Sequence, residues 1–166
     1  MHYGIISDTH LHDALGDGIP DWIAAAFTGV DLILHAGDMV DPAMVEVLQA
    51  IAPVCVVRGN MDPHDPHLPL DREIPFGKDL GTIVIAHRPE SLHRALGHHP
   101  RPGTTIAING HTHVAEFKKV GGIWYLNPGS PTHPRGGQRP SVAILTIDGD
   151  GMPHAEFKYP PDCADE

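Results

Sequence analysis

Leu32-Ile33-Leu34-His35-Ala36-Gly37-Asp38-Met39-Val40-Asp41 is an apolar run that stops at a glycine and then presents an aspartate. A buried parallel strand ends this way when it hands a carboxylate to the rim of a sheet. Alone the pattern is weak, because many Gly-Asp turns do no more than close a loop. Four further apolar runs end alike: Ile5-Ile6-Ser7-Asp8-Thr9-His10, Val56-Val57-Arg58-Gly59-Asn60, Ile83-Val84-Ile85-Ala86-His87 and Ile106-Ala107-Ile108-Asn109-Gly110-His111-Thr112-His113. Strand after strand aims oxygen or imidazole donors at one edge, which predicts a metal site.

Around this stretch the pattern is strand, helix, strand, helix, strand. Tyr3 to Ser7 reads as the first strand. Asp17-Gly18-Ile19-Pro20 then opens a helix through Trp22, Ile23 and Phe27 that Gly29 ends. Asp41 is placed to cap a second helix, Pro42 to Ile51, whose apolar face is Met44, Val45, Leu48 and Ile51. Val54 to Val57 is the third strand. Such alternation predicts a parallel sheet with right-handed crossovers. After Asn60 the pattern changes: a proline-rich loop to Leu70, a short strand near Ile74, a strand at Thr82 to Ala86, and a helix from Glu90 to Leu96. Strands at Thr104 to Ile108, Glu116 to Val120, Ile123 to Leu126, Ser141 to Ile147 and His154 to Tyr159 follow. Gly121-Gly122 suits a two-residue hairpin turn. This second half reads as mainly antiparallel.

A chain of 166 residues with 41 % hydrophobic content can bury one full core, so we expect one domain over residues 1–160 and a frayed tail at 161–166. No apolar run reaches the ~20 residues of a membrane span. The amino terminus shows no basic segment ahead of an apolar one, and the cysteines, Cys55 and Cys163, sit in unlike surroundings. Both features fit a reducing cytoplasm without a structural disulfide. The formal net charge of −10 repels duplex nucleic acid, and no Lys/Arg stripe tracks a phosphate backbone. Homo-oligomerisation stays open. Of the 14 histidines, His2, His64, His67, His98, His99, His133 and His154 read as surface residues.

Two divalent cations ~3.5–4 Å apart need a carboxylate that bridges them. Asp38, at the end of the middle strand of the first half, is the natural bridge. Asp8 and His10 reach one cation across a turn, Asn60 offers a neutral carbonyl oxygen, and His87, His111 and His113 complete both shells. Two such cations carry four positive charges; Asp8, Asp38 and one hydroxide return three, leaving about +1. A positive site that holds hydroxide suits in-line attack on an anionic phosphoester. No P-loop, nucleophile elbow or Cys-x-x-Cys pair competes.

Asp8-x-His10, Gly37-Asp38-x-x-Asp41, Gly59-Asn60, the strand-end His87 and Gly110-His111-x-His113 resemble the motif series of the calcineurin-like metallophosphoesterases. Asn127-Pro128-Gly129-Ser130, with Pro134-Arg135, resembles their small prokaryotic phosphodiesterase branch. The likeness runs from about residue 3 to 147. It implies a four-layer α/β sandwich of two mixed sheets flanked by helices, with a dimetal site on one edge. It also implies a first metal on Asp8, His10, Asp38 and His113, and a second on Asp38, Asn60, His87 and His111. Manganese is the leading metal, with iron, nickel or zinc as alternatives. Asp38, Asn60 and His111 are the candidate catalytic residues, and Asn60, Arg88 and Arg135 the candidate contacts to a small phosphoester. Asp41 is either a support for the metal shell or a helix cap. His35 reads as a buried hydrogen-bonding residue, and His12 lies near the first metal's turn.

Two positions depart from that pattern. Where Gly-Asn-His members carry the histidine that protonates the leaving group, this chain has Met61, followed by Asp62. Where small members follow the strand-end histidine with Gly-His, it has Arg88-Pro89. The leading expectation is a phosphodiesterase. The alternatives are a phosphomonoesterase on the same site, or a metal-binding interaction scaffold with little turnover.

Overall fold

The computed structural model describes residues 1–97 and 101–161. His98, His99, Cys163 and the tail beyond Pro161 lie outside the described residues. Ten strands and four short helices follow in the order β1 (His2–Ile6), α1 (Ala14–Asp17), α2 (Asp21–Ala26), β2 (Leu32–His35), α3 (Met44–Gln49), β3 (Val54–Val56), β4 (Asp71–Phe76), β5 (Gly81–Ala86), α4 (Pro89–Leu96), β6 (Thr104–Ile108), β7 (Glu116–Val120), β8 (Ile123–Asn127), β9 (Val142–Ile147) and β10 (Pro153–Lys158). They form two five-stranded sheets, ordered β10-β9-β1-β2-β3 and β4-β5-β6-β8-β7.

Alternation along the strands builds the layers. Tyr3, Ile5 and Leu34 of the first sheet pack with Ile83, Ile85, Ile106, Ile108 and Leu126 of the second, so the main core lies between the sheets. Ile6 and Ile33 point outward beneath Ala14 of α1, Ile23 of α2, Phe27 at its C-terminal end, and Met44 and Leu48 of α3. On the far side, Val84, Ala86 and Ala107 meet Leu92 of α4. The result is helix, sheet, sheet, helix. Gly4 marks how tightly α2 docks: a Cβ there would sit 2.9 Å from the Phe27 ring.

β1, β2 and β3 are parallel, as the alternation predicts, and β9 joins β1 antiparallel. The second sheet differs from a mainly antiparallel reading, because β5, β6 and β8 run parallel at its centre and only its outer pairs are antiparallel. Helix α4 is the crossover that makes β5 and β6 parallel. The helix expected to open at Asp17 to Pro20 and run through Phe27 is α2, Asp21–Ala26, while α1, ended at Gly18 (φ +65°), is an additional turn ahead of it. The helix expected from Pro42 begins at Met44. There Met44 and Val45 donate to carbonyls three residues back, a tight turn that delays the α-helix.

Candidate metal centre

The carboxyl ends of β1, β2, β3, β5 and β6 meet on one edge, where parallel strands open their crevice. The loops leaving them are cross-tied. Asp8 N–H donates to the Gly37 carbonyl at 3.0 Å, His10 N–H to that of Asp38 at 3.2 Å, and Gly110 N–H to that of His87 at 3.1 Å. Asp8, His10, Asp38, Val40, His111 and His113 all adopt left-handed backbone, with φ between 47° and 75°. Each such residue costs on the order of 1–3 kcal/mol and persists where its surroundings over-determine it. Close approach completes the convergence. A Cβ on Gly59 would lie 2.0 Å from Asp38 Oδ1, and one on Gly110 would lie 1.8 Å from Ser7 Oγ and 2.6 Å from Asp8 Oδ2.

Two groups of donors result. Asp8, His10 and His113 bring one donor atom each within 4.8 Å of one another, and so do Asp38, His87 and His111. Asp38 lies between them: its Oδ2 is 3.2 Å from His87 Nε2 and 3.9 Å from His10 Nε2. Its Oδ1 accepts the Met61 N–H at 2.8 Å, which leaves a single oxygen facing both groups. Asn60 Oδ1 joins the second group, 3.2 Å from His87 Nε2, and accepts from Arg88 Nε at 3.2 Å.

The donor set fits cations for a reason visible in its hydrogen bonds. His113 Nδ1 lies 2.6 Å from the His133 carbonyl and His87 Nδ1 lies 2.8 Å from that of Ala36. Carbonyls only accept, so each ring carries its proton there, and a neutral ring turns its Nε2 lone pair into the site. That lone pair of His113 is 3.2 Å from Asp8 Oδ1, a buried oxygen with no hydrogen-bond donor among the described residues. His10 Nε2 and His113 Nε2 are 3.3 Å apart. The facing lone pairs of His113 Nε2 and Asp8 Oδ1 repel unless a positive charge lies between them. Divalent ions with nitrogen and oxygen ligands satisfy this arrangement.

Burial shapes the protonation of the set. It raises the Asp8 carboxyl pKa and lowers those of His10 and His111, the last helped by the charges of His87 and Arg88. Burial also pushes Asp38 upward, but hydrogen bonds from His87 and the Met61 N–H hold it below the usual carboxylate range. For His87 burial acts downward, yet the hydrogen bond and charge of Asp38 raise its pKa overall. Asp38 thus favours a proton on His87 Nε2, and a cation held there competes with that proton.

Supporting residues surround the donors. Asp62 accepts three backbone N–H groups, from Gly59 (2.7 Å), Asp38 (2.9 Å) and Val40 (2.9 Å), so its oxygens brace the loops of two strands. Asp41 accepts from Ala14 and Ala43, tying α1 to the turn before α3; it is not the N-cap expected, since α3 starts two residues later with Ala43 as its N-cap and no side-chain cap bond. His35 is fully buried between Thr9 Oγ1 and Gly37 N–H. Ser130 Oγ donates to the Asp8 carbonyl at 2.7 Å, and Thr132 Oγ1 to that of Thr9 at 2.8 Å. The bracing by Asp62 and Thr132 is absent from the sequence reading. Only the Asn127-Pro128-Gly129-Ser130 motif points to that loop.

Arg88 and Arg135 fall on opposite sides of the donors. A cavity of about 340 Å³ includes Arg58, Asn60, His64, His87 and Arg88 in its wall. Another, of about 310 Å³, is lined by His10, His12, His113, His133 and Arg135. His64 and His133 are exposed, as expected, yet border these cavities. The His133 ring meets that of His10 edge-on, with centroids 5.5 Å apart.

Residues 1–150 match the model of the calcineurin-like phosphoesterase superfamily domain. The chain is 40 % identical over 158 residues to a probable metallophosphoesterase of Methanothermobacter thermautotrophicus, covering 92 % of this chain and 89 % of that protein. Wild-type Vps29 of Entamoeba histolytica, solved in complex with zinc, shares the fold with a TM-score of 0.69 at 25 % identity, over 95 % of this chain and 98 % of its own. A structure described as a novel archaeal phosphodiesterase superposes with a TM-score of 0.71 at 22 % identity, over 95 % and 99 % of the two chains.

Proposed function

The chain belongs to the calcineurin-like phosphoesterase superfamily, and on that premise we propose that it hydrolyses small phosphodiesters with two divalent metal ions. Asp8, His10, Asp38 and His113 hold one ion, and Asp38, Asn60, His87 and His111 the other. Manganese is our first choice, with iron, nickel and zinc compatible with the same imidazole and carboxylate donors. When bound, the ions supply Lewis acidity toward the phosphoryl oxygens and lower the pKa of coordinated water. Asp38 fixes the spacing of the two groups through Oδ2, while His87 and His113 are oriented by the carbonyls behind them. Asn60 and His111 stand on the face open to substrate. Arg88 and Arg135, one on each side, supply forked donors for anionic oxygen. The archaeal phosphodiesterase that shares the fold supports a diester substrate.

The observation that carries this reading is Asp8 Oδ1, buried without a donor among the described residues and facing the His113 lone pair, beside an Asp38 oxygen shared by both groups. Metal analysis with hydrolysis of bis(p-nitrophenyl) phosphate and p-nitrophenyl phosphate, under added manganese, nickel, zinc or magnesium, tests it. Two ions per chain and preferred diester cleavage are expected, with both lost in Asp38→Ala. Active protein holding one ion per chain would overturn the shared-carboxylate reading. A faster monoester would make the chain a phosphomonoesterase, and full metal loading without turnover would make it a scaffold.

A further inference from the structure

The cavity beside the second donor group carries chemistry that phosphoester cleavage alone does not use. Its wall begins at Asn60 and His87, both in that group, and extends outward to Arg58, Arg88, His64 and Ser91. Two of the chain's 11 lysines and arginines therefore stand at one opening, on a molecule whose formal net charge is −10. The one carboxylate in the wall, Asp62, has its oxygens committed to three backbone N–H groups. The Arg58 guanidinium makes no hydrogen bond or ion pair with any described residue, and its backbone is held by a 2.8 Å bond from its N–H to the Pro69 carbonyl. Arg88 spends Nε on Asn60 and keeps its terminal nitrogens. Ser91, in the first turn of α4, adds a hydroxyl, and Leu70 gives the cavity an apolar wall.

Two guanidinium forks and a hydroxyl make a receptor for a tetrahedral dianion, since each fork pairs with two oxygens. A volume of about 340 Å³ holds more than an ion; it accommodates an arm with its terminal group. We propose that this cavity is a subsite for a second phosphate. The substrate is then a phosphodiester whose scissile group lies on the donor edge and whose arm passes Asn60 to end between Arg58 and Arg88. This rests on the metallophosphoesterase reading of the edge itself.

Two p-nitrophenyl phosphodiesters test it on the metal-loaded protein, one with an ethyl arm and one with a 2-phosphonoethyl arm that cannot itself be hydrolysed. Both release p-nitrophenolate from the same phosphorus. A preference of at least tenfold in kcat/KM for the phosphono arm is expected, carried by KM and weakened by salt. Arg58→Gln should cut that preference to below about threefold. Equal kcat/KM for the two compounds would overturn the proposal. So would a preference that survives Arg58→Gln, or a loss of both compounds alike in that variant. Should neither compound be hydrolysed, the phosphodiesterase reading fails. Calorimetric affinities of the same pair then decide the subsite: at least tenfold tighter binding of the phosphono compound, lost in Arg58→Gln, upholds it, and equal affinities overturn it.

Discussion

Residues that never face substrate set the geometry of the donors. Asp62 ties the tip after β3 to that after β2 through charge-assisted bonds, each worth ~1.5–3 kcal/mol. Asp62→Ala should therefore lower stability by about 3 kcal/mol in urea unfolding and release metal with it. A change under about 0.5 kcal/mol would show that Asp62 braces nothing. Its neighbour raises a different question. The Met61 backbone N–H is held against Asp38 Oδ1, while the residue as a whole is 56 % exposed. A histidine in that place would stand beside the donors with its ring free, whereas methionine carries no proton. With Asp62 committed to the backbone, cleavage should depend steeply on leaving-group pKa, aryl esters outpacing alkyl ones. Positioned general acids contribute roughly 10²–10⁴-fold, and Met61→His should speed alkyl esters selectively. Rates across substituted phenyl and alkyl diesters measure this. A flat dependence in the native protein, unaltered by the substitution, would mean that another group, such as His64, already delivers the proton.

Strand ends show what glycine contributes to the site. The Cβ introduced by Gly110→Ala falls on Ser7 Oγ and against Asp8 Oδ2, so Asp8 must move out of the first donor group. Metal content should fall from two ions toward one while the fold holds. Gly121→Ala is the contrast, with φ +58° and nothing within 4 Å, and should cost only about 1 kcal/mol of backbone strain. Equal metal content in the two variants would remove steric convergence from the account. The elements themselves were unequally readable. β1, β2 and β3 show in the sequence because each is an apolar run ended by Ser7-Asp8, Gly37-Asp38 or Gly59-Asn60, and those terminators are the donors. The centre of the second sheet was not, since local alternation does not tell that β8 inserts between β6 and β7. Helix α1 is too short to show a period. His133 sits in a Gly/Pro-rich loop where no pattern marks it, and only the folded chain brings its ring against His10.

For the whole molecule, proton uptake couples the buried site to stability. His35 Nδ1 accepts from Gly37 N–H, so Nε2 carries the proton toward Thr9. Complete burial holds its pKa down at about 4, against an ordinary 6.5. Between those values the unfolded chain binds the proton and the folded chain refuses it. The contribution of His35 is therefore fully present above pH 6.5 and is lost as pH falls toward 4, on the order of 3 kcal/mol in all. His10 and His111, also lowered by burial, act with the same sign, whereas the raised His87 acts against them. Bound metal would add its own acid sensitivity, because ligating imidazoles must be neutral. Urea unfolding in excess chelator at pH 7, 5.5 and 4.5 isolates the histidine part. A progressive loss of stability is expected in the native protein and a distinctly shallower one in His35→Gln, whatever offset the substitution adds at pH 7. Since slopes are compared and not absolute stabilities, a weaker fold in the variant does not blur the answer. Parallel profiles would place the acid sensitivity in the other groups and leave His35 as packing alone.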